Sequence, residues 1–150
     1  MGPLPQAILD EVFSFADVVL VEADGSKRMP LKMPRQGEPV LPETCDFLVT
    51  VAGLSALEQP WEQVCHRFAL VSSMFSGKTV AEGDIFPLLQ AGYGTLWDEI
   101  QGCVFLNQAE VVGWDRAERI AADFSVPCLW GSLRQKQYYR KEGDSHERSI

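Results

Sequence analysis

The sequence predicts an α/β fold built on an open, mostly parallel sheet. Two observations carry that expectation. Four short apolar runs, DVVLVEA at 17–23, DFLVTVA at 46–52, CVFL at 103–106 and VPCLW at 126–130, show no alternation of apolar and polar residues. Such runs read as strands buried on both faces. Between the last two, apolar residues recur at 114, 117, 120, 121 and 124, the period of an amphipathic helix. Strand, helix, strand in that order implies a parallel pair joined by a right-handed crossover.

Taken along the chain, residues 6–15 place Ile8, Leu9, Val12 and Phe13 at helical spacing, so a short amphipathic helix opens the fold. The strand at 17–23 follows. Residues 25–44 break the rhythm: they hold four of the nine prolines, Pro30, Pro34, Pro39 and Pro42, and no period. Proline fixes φ and limits the entropy that ordering costs, so this segment reads as a defined loop, and a long defined loop in a compact domain is usually functional. In the helix at 114–124, Asp115 sits in the first turn, where the helix dipole favours a negative charge. Residues 1–133 therefore form a single α/β domain. Residues 134–150 are polar and charged without an apolar face, and read as a flexible tail.

With 13 basic against 21 acidic residues the net charge is −8, which argues against nucleic-acid binding, since that needs Lys and Arg to neutralise phosphates. A local basic pocket for a small anion is compatible with it. The four cysteines, at 45, 65, 103 and 128, lack the close spacing of a zinc or redox motif and read as reduced, mostly buried thiols. No apolar run is long enough for a transmembrane helix. The N-terminal MGPLPQAILDEVF lacks the basic start of a signal peptide, so the expected location is cytoplasmic.

Chemistry concentrates in VVLVEADGSKRMPLK, where an apolar run meets two acids and three cations. Open parallel sheets bind ligands beyond the carboxyl ends of their strands. Glu22 and Asp24, two positions apart, point to one side of an extended chain and suit Mg²⁺ bridging phosphate oxygens. Lys27 and Lys32 suit the anion itself. The competing reading is a solvated turn in which these charges pair with one another. Asn107, at the end of a later strand, is either a ligand-binding amide or a residue that turns the chain. His66 and Arg67 are either a proton donor and anion clamp or a structural pair. SGKT at 76–79 lacks the earlier glycine of a phosphate-binding loop and reads as a helix start. GLSAL at 53–57 lacks the second glycine of a nucleophile elbow, and Cys65 and His66 are too close in sequence to share one zinc.

The segments VVLVEADGSKRMPLKMP, EPVLP, CDFLVTVAG, CHRF and VFLNQAE together resemble one family, the selenium-dependent hydroxylase accessory proteins, also called selenium cofactor biosynthesis protein YqeC. The resemblance covers roughly residues 14–130. It implies a P-loop NTPase-like fold and a role in maturing selenium-dependent molybdenum hydroxylases. On that basis Glu22 and Asp24 match a Walker-B-like acidic pair that serves Mg²⁺ and catalysis. Lys27, Lys32, His66, Arg67 and Asn107 match ligand-binding positions for ATP or GTP or for a molybdopterin-type cofactor, and Glu38 and Pro39 match the extended loop. Asn107 stands where GTPases carry Asn-Lys-x-Asp, but here the motif reads Asn-Gln-Ala-Glu. The resemblance also implies a strand, glycine-rich loop and helix ahead of residue 17 that this chain lacks. Without that phosphate cradle nucleotide binding is weak, and a central sheet edge is left uncovered, which leads to two further expectations. One is a homodimer through that edge. The other is a carrier or scaffold that binds the hydroxylase or its cofactor without turning over nucleotide.

Overall fold

The computed structural model describes residues 6–140. Helix α1 (Gln6–Phe13) opens the chain. Two strands of two residues each, β1 (Leu31–Lys32) and β3 (Cys65–His66), pair in parallel, Leu31 beside Cys65 and Lys32 beside His66. The main sheet holds β2 (Leu48–Gly53), β4 (Gly102–Asn107), β5 (Cys128–Ser132) and β6 (Gln137–Arg140), in the order β2-β4-β5-β6. Its first three strands are parallel and β6 is antiparallel to β5. The short helix α2 (Trp61–Val64) leads into β3, α3 (Ile85–Glu99) precedes β4, and α4 (Ala109–Val112) and α5 (Trp114–Ala122) cross from β4 to β5. The expected mixed α/β, mostly parallel architecture is thus present, with the crossover of β4, α5 and β5 in its expected place. Among the described residues no helix is long and apolar enough to cross a membrane.

Register explains the core. Side chains alternate across a strand, and the pairings Thr50 with Val104, Ala52 with Leu106, Val104 with Cys128 and Leu106 with Trp130 place one buried face in line. Ile85, Leu88 and Leu89 of α3 and Ala117, Ile120 and Ala121 of α5 belong to the same buried cluster. Phe86 and Phe124 meet edge to face at 5.1 Å, and the Trp97 indole donates to the Thr50 hydroxyl at 3.0 Å. The opposite face is barer at β2, where Val49 and Val51 are exposed. All four cysteines are free thiols, with Cys65 and Cys128 buried.

Three expectations are corrected. Residues 17–23 form no strand. Residues 18–26 run without turn, bend or ladder partner, and Val18 and Leu20 are exposed. A run becomes a strand only when a neighbour satisfies its backbone groups, and β2, the sheet edge on this side, lies across an open cleft. Residues 76–79 begin no helix. They are irregular, with Thr79 and Val80 bridging back to Pro60 and Leu57, and the helix starts at Ile85. Within the segment read as a tail, Gln137–Arg140 is strand β6, whose Tyr139 packs edge to face on Trp114 at 5.5 Å; residues 141–150 lie outside the described residues.

Candidate functional site: an ion-pair cluster beside an open cleft

The site forms where the proline-rich loop meets the two-stranded sheet. Gly53, at the carboxyl end of β2, donates its N–H to the Pro30 carbonyl at 2.8 Å, so the loop is tied to the sheet one residue before β1. A Cβ at Gly53 would sit 2.7 Å from the Pro30 Cβ, which explains glycine there. Strand β1 then carries Lys32 into the interior, where its side chain is 5% exposed. A buried ammonium is costly unless paired and hydrogen-bonded. The Lys32 Nζ lies 3.2 Å from the Asp24 carboxylate and 2.7 Å from that of Glu38.

Each carboxylate has a second partner. The Tyr93 hydroxyl, from α3, donates to Asp24 at 2.9 Å. Arg67 donates to Glu38 through both terminal nitrogens, one of them at 3.1 Å, the forked geometry that makes Arg–carboxylate pairs strong. Arg35 adds an exposed contact to Glu38 at 3.1 Å. Arg67 and Lys32 hold the Glu38 carboxyl down at about 2, well below its ordinary value. Burial, the Asp24 charge and the hydrogen bond to Asp24 push the Tyr93 phenol up, so it remains a donor at any physiological pH. His66, beside Lys32 in β3, has its pKa lowered by burial and by the cations Arg67, Lys27 and Lys32, which keeps it neutral near pH 7.

The structure thus brings together Asp24, Lys32 and Arg67, with His66 alongside. Of the other expected site residues, Glu22 is exposed on the run that lines the cleft. Lys27 is exposed in a left-handed turn with φ 53°. Asn107 ends β4 and lines the cleft, but its Oδ1 accepts the N–H of Gln108 at 2.8 Å and of Leu133 at 3.1 Å. Its amide carbonyl therefore serves the strand-to-helix turn, and only the NH₂ is left for a ligand. Tyr93 was not foreseen from the sequence, and Glu38 was foreseen only as part of the loop. The Ser55 hydroxyl, donating to the Gln108 Oε1 at 2.7 Å, is a further polar pair on the cleft wall.

The cleft has a volume of about 990 Å³ and is lined by residues 18–24, by β2 and by Tyr93, Asn107 and Gln108. Asp24 already faces the Lys32 ammonium, which repels a second cation, while Glu22 is exposed. What the cluster does chemically is fasten the loop. Two cations and two carboxylates, contributed by the 18–26 run, β1, the loop before Pro39 and the end of β3, neutralise one another.

Fold and cluster together define an α/β protein with a parallel sheet and an internally paired charge cluster beside an open cleft. The family model described as YqeC protein matches residues 2–69, the segment that supplies Asp24, Lys32, Glu38 and Arg67. The chain is 32% identical over 91 residues to the "Uncharacterized protein YqeC" of Escherichia coli (strain K12). Over its N-terminal segment the chain is similar to the YqeC family. The aligned region is 58% of this chain and 36% of that relative, so the chain spans about a third of the relative's length. No solved structure matches it.

Proposed function

We propose that the chain is an accessory factor in the maturation of selenium-dependent molybdenum hydroxylases, and that it binds the hydroxylase or its molybdopterin-type cofactor without turning over nucleotide. The likeness of residues 2–69 to the YqeC family, together with the role that the sequence resemblance implies, supports the first part. The second rests on one observation: Lys32, the buried cation on the cleft wall, is already held by Asp24 and Glu38. A phosphate that used Lys32 would have to displace both carboxylates from it, a penalty of the kind that makes broken buried ion pairs costly. A P-loop NTPase-like lineage for the parallel sheet goes with this reading, the nucleotide role having been set aside for the paired cluster. The alternative is the Mg²⁺-linked use of ATP or GTP, with Glu22 and Asp24 on the metal, Lys27 on the phosphates and Asn107 on the base. It requires Asp24 to leave Lys32 and Tyr93.

Calorimetric titration of the folded chain with ATP and with GTP, with and without Mg²⁺, separates the two. The proposal expects no magnesium-dependent binding tighter than ~100 μM, equivalent to about −5.5 kcal/mol, and retention of a purified apo-hydroxylase on the immobilised chain. Magnesium-dependent binding that Asp24→Asn abolishes would overturn the carrier reading in favour of the nucleotide-linked one.

A further inference from the structure

Among the described residues, strand β2 is paired along one edge and, up to Gly53, open along the other. On the β4 side, Leu48 donates its N–H to the Gln101 carbonyl; on the other side, Gly53 donates to Pro30. Backbone direction alternates along a strand, so the N–H and C=O groups of Val49 and Val51 point the same way as the Gly53 N–H, away from β4. Among the described residues no strand pairs with β2 there. Facing that edge across the cleft is the run at 18–23, apolar and without turn, bend or ladder partner. Its one backbone bond to a distant segment among the described residues lies at its far end, from the Val40 N–H to the Ala23 carbonyl at 3.0 Å. One chain therefore presents two unpaired edges, separated by a cleft of about 990 Å³.

We propose that this cleft is a self-docking site, in which a second copy of the chain inserts its 18–23 run beside β2 and receives the first copy's run in return. A two-fold axis between the two runs gives the order β2, partner run, own run, partner β2, so both runs and both β2 edges gain neighbours at once. The contact is isologous and closes on itself, using the backbone pairing by which extended segments add to sheet edges.

The apolar area fits a second copy. Phe13, Val18, Leu20, Val21, Phe47, Val49 and Val51 all line the cleft and are all exposed, Leu20 by 92% and Val18 by 76%. Taking about 200 Å² for a whole aromatic side chain and somewhat less for Leu and Val, the seven expose roughly 700 Å². That exceeds the roughly 300–600 Å² of the largest patch on a typical monomer and approaches the roughly 800 Å² that each partner contributes to a standard stable interface. Because each copy carries a net charge of −8, long-range repulsion opposes the encounter, and added salt strengthens association by screening it.

Sedimentation equilibrium of the full chain across micromolar concentrations tests this, with Leu20→Asp and Val49→Pro as variants. The Leu20 side chain is outside every ladder, and the Val49 N–H faces away from β4, the position at which an edge strand accepts proline. The expected result is a reversible monomer–dimer equilibrium that tightens with salt and weakens at least tenfold in each variant, with the far-ultraviolet circular dichroism of the wild type retained. A wild-type chain that stays monomeric, a dimer unaffected by Leu20→Asp, or open-ended oligomers would each overturn the proposal. Should Val49→Pro fail to fold, Leu20→Asp decides alone.

Discussion

Lys32→Met is expected to lower the stability of the chain by roughly 3 kcal/mol, the cost of removing one partner from a buried ion pair, and the melting temperature by roughly 10 °C for a domain of this size. Methionine matches the length of the lysine stem, so packing beside His66 is largely kept and the loss is electrostatic. It leaves the Asp24 and Glu38 carboxylates, 18% and 14% exposed, facing one another with no cation between them. Arg67 still serves Glu38, whereas Asp24 keeps only the Tyr93 hydroxyl. The deficit therefore has a pH signature: it narrows as acid protonates the carboxylates, because a neutral pair needs no ammonium. Thermal melts of wild type and variant at neutral and acidic pH measure both effects. Equal melting temperatures at neutral pH would mean that Lys32 is not a structural partner.

Trp61→Ala is expected to cost roughly 4 kcal/mol, in the range for truncating a buried aromatic. Trp61 is 2% exposed, stacks on Phe68 at 4.7 Å and lies tilted against Phe75 at 4.6 Å. It begins α2, which leads directly into β3. The aromatic trio thus braces the strand that carries His66 and positions Arg67, and losing it loosens the charge cluster as well as the core. Trp61→Phe should cost much less, because the indole nitrogen has no hydrogen-bond partner among the described residues and a phenyl ring keeps most of the stack. Chemical denaturation of both variants checks the ranking; equal losses would assign the effect to something other than ring volume.

Much of the architecture was legible from periodicity. Apolar spacing placed β2, β4, α5 and β5, because each packs its own pattern into the core, and it placed α1 although Ile8 and Phe13 stay exposed. Residues 17–23 were misread for a physical reason: a strand's pattern reports apolar character, whereas a strand also needs a neighbour, and here β2 stands off across the cleft. Helix α3 escaped notice although Ile85, Leu88, Leu89, Tyr93 and Leu96 keep helical spacing. Pro87, Gly92 and Gly94 interrupt it with residues that usually punctuate loops. Strand β6 was hidden by its composition, QYYR, which is exposed along its whole length. At the site, the residue types were legible and their pairing was one of two readings. Asp24 and Lys32 read as meeting either a ligand or each other, and in the structure Asp24, Lys32, Glu38 and Arg67 meet one another. Which of two charges faces solvent and which faces its opposite depends on β1 and β3 pairing, a contact between segments too short to announce themselves. Tyr93 followed from α3 and was lost with it.

Within the cluster the charges neutralise one another, and Glu38 reports that most directly. A carboxyl whose pKa is lowered in the folded state contributes stability above its ordinary value near 4.5 and loses it as pH falls toward the folded value. Carbon-detected NMR titration of the Glu38 side chain in the folded protein is the measurement to make. A midpoint at about 2, with acid unfolding setting in between that value and the ordinary carboxylate range, is the expected result. A midpoint at the ordinary value would mean that Lys32 and Arg67 are not committed to Glu38 and stand open to an anionic ligand, and the nucleotide-linked reading would then take the place of the one argued above.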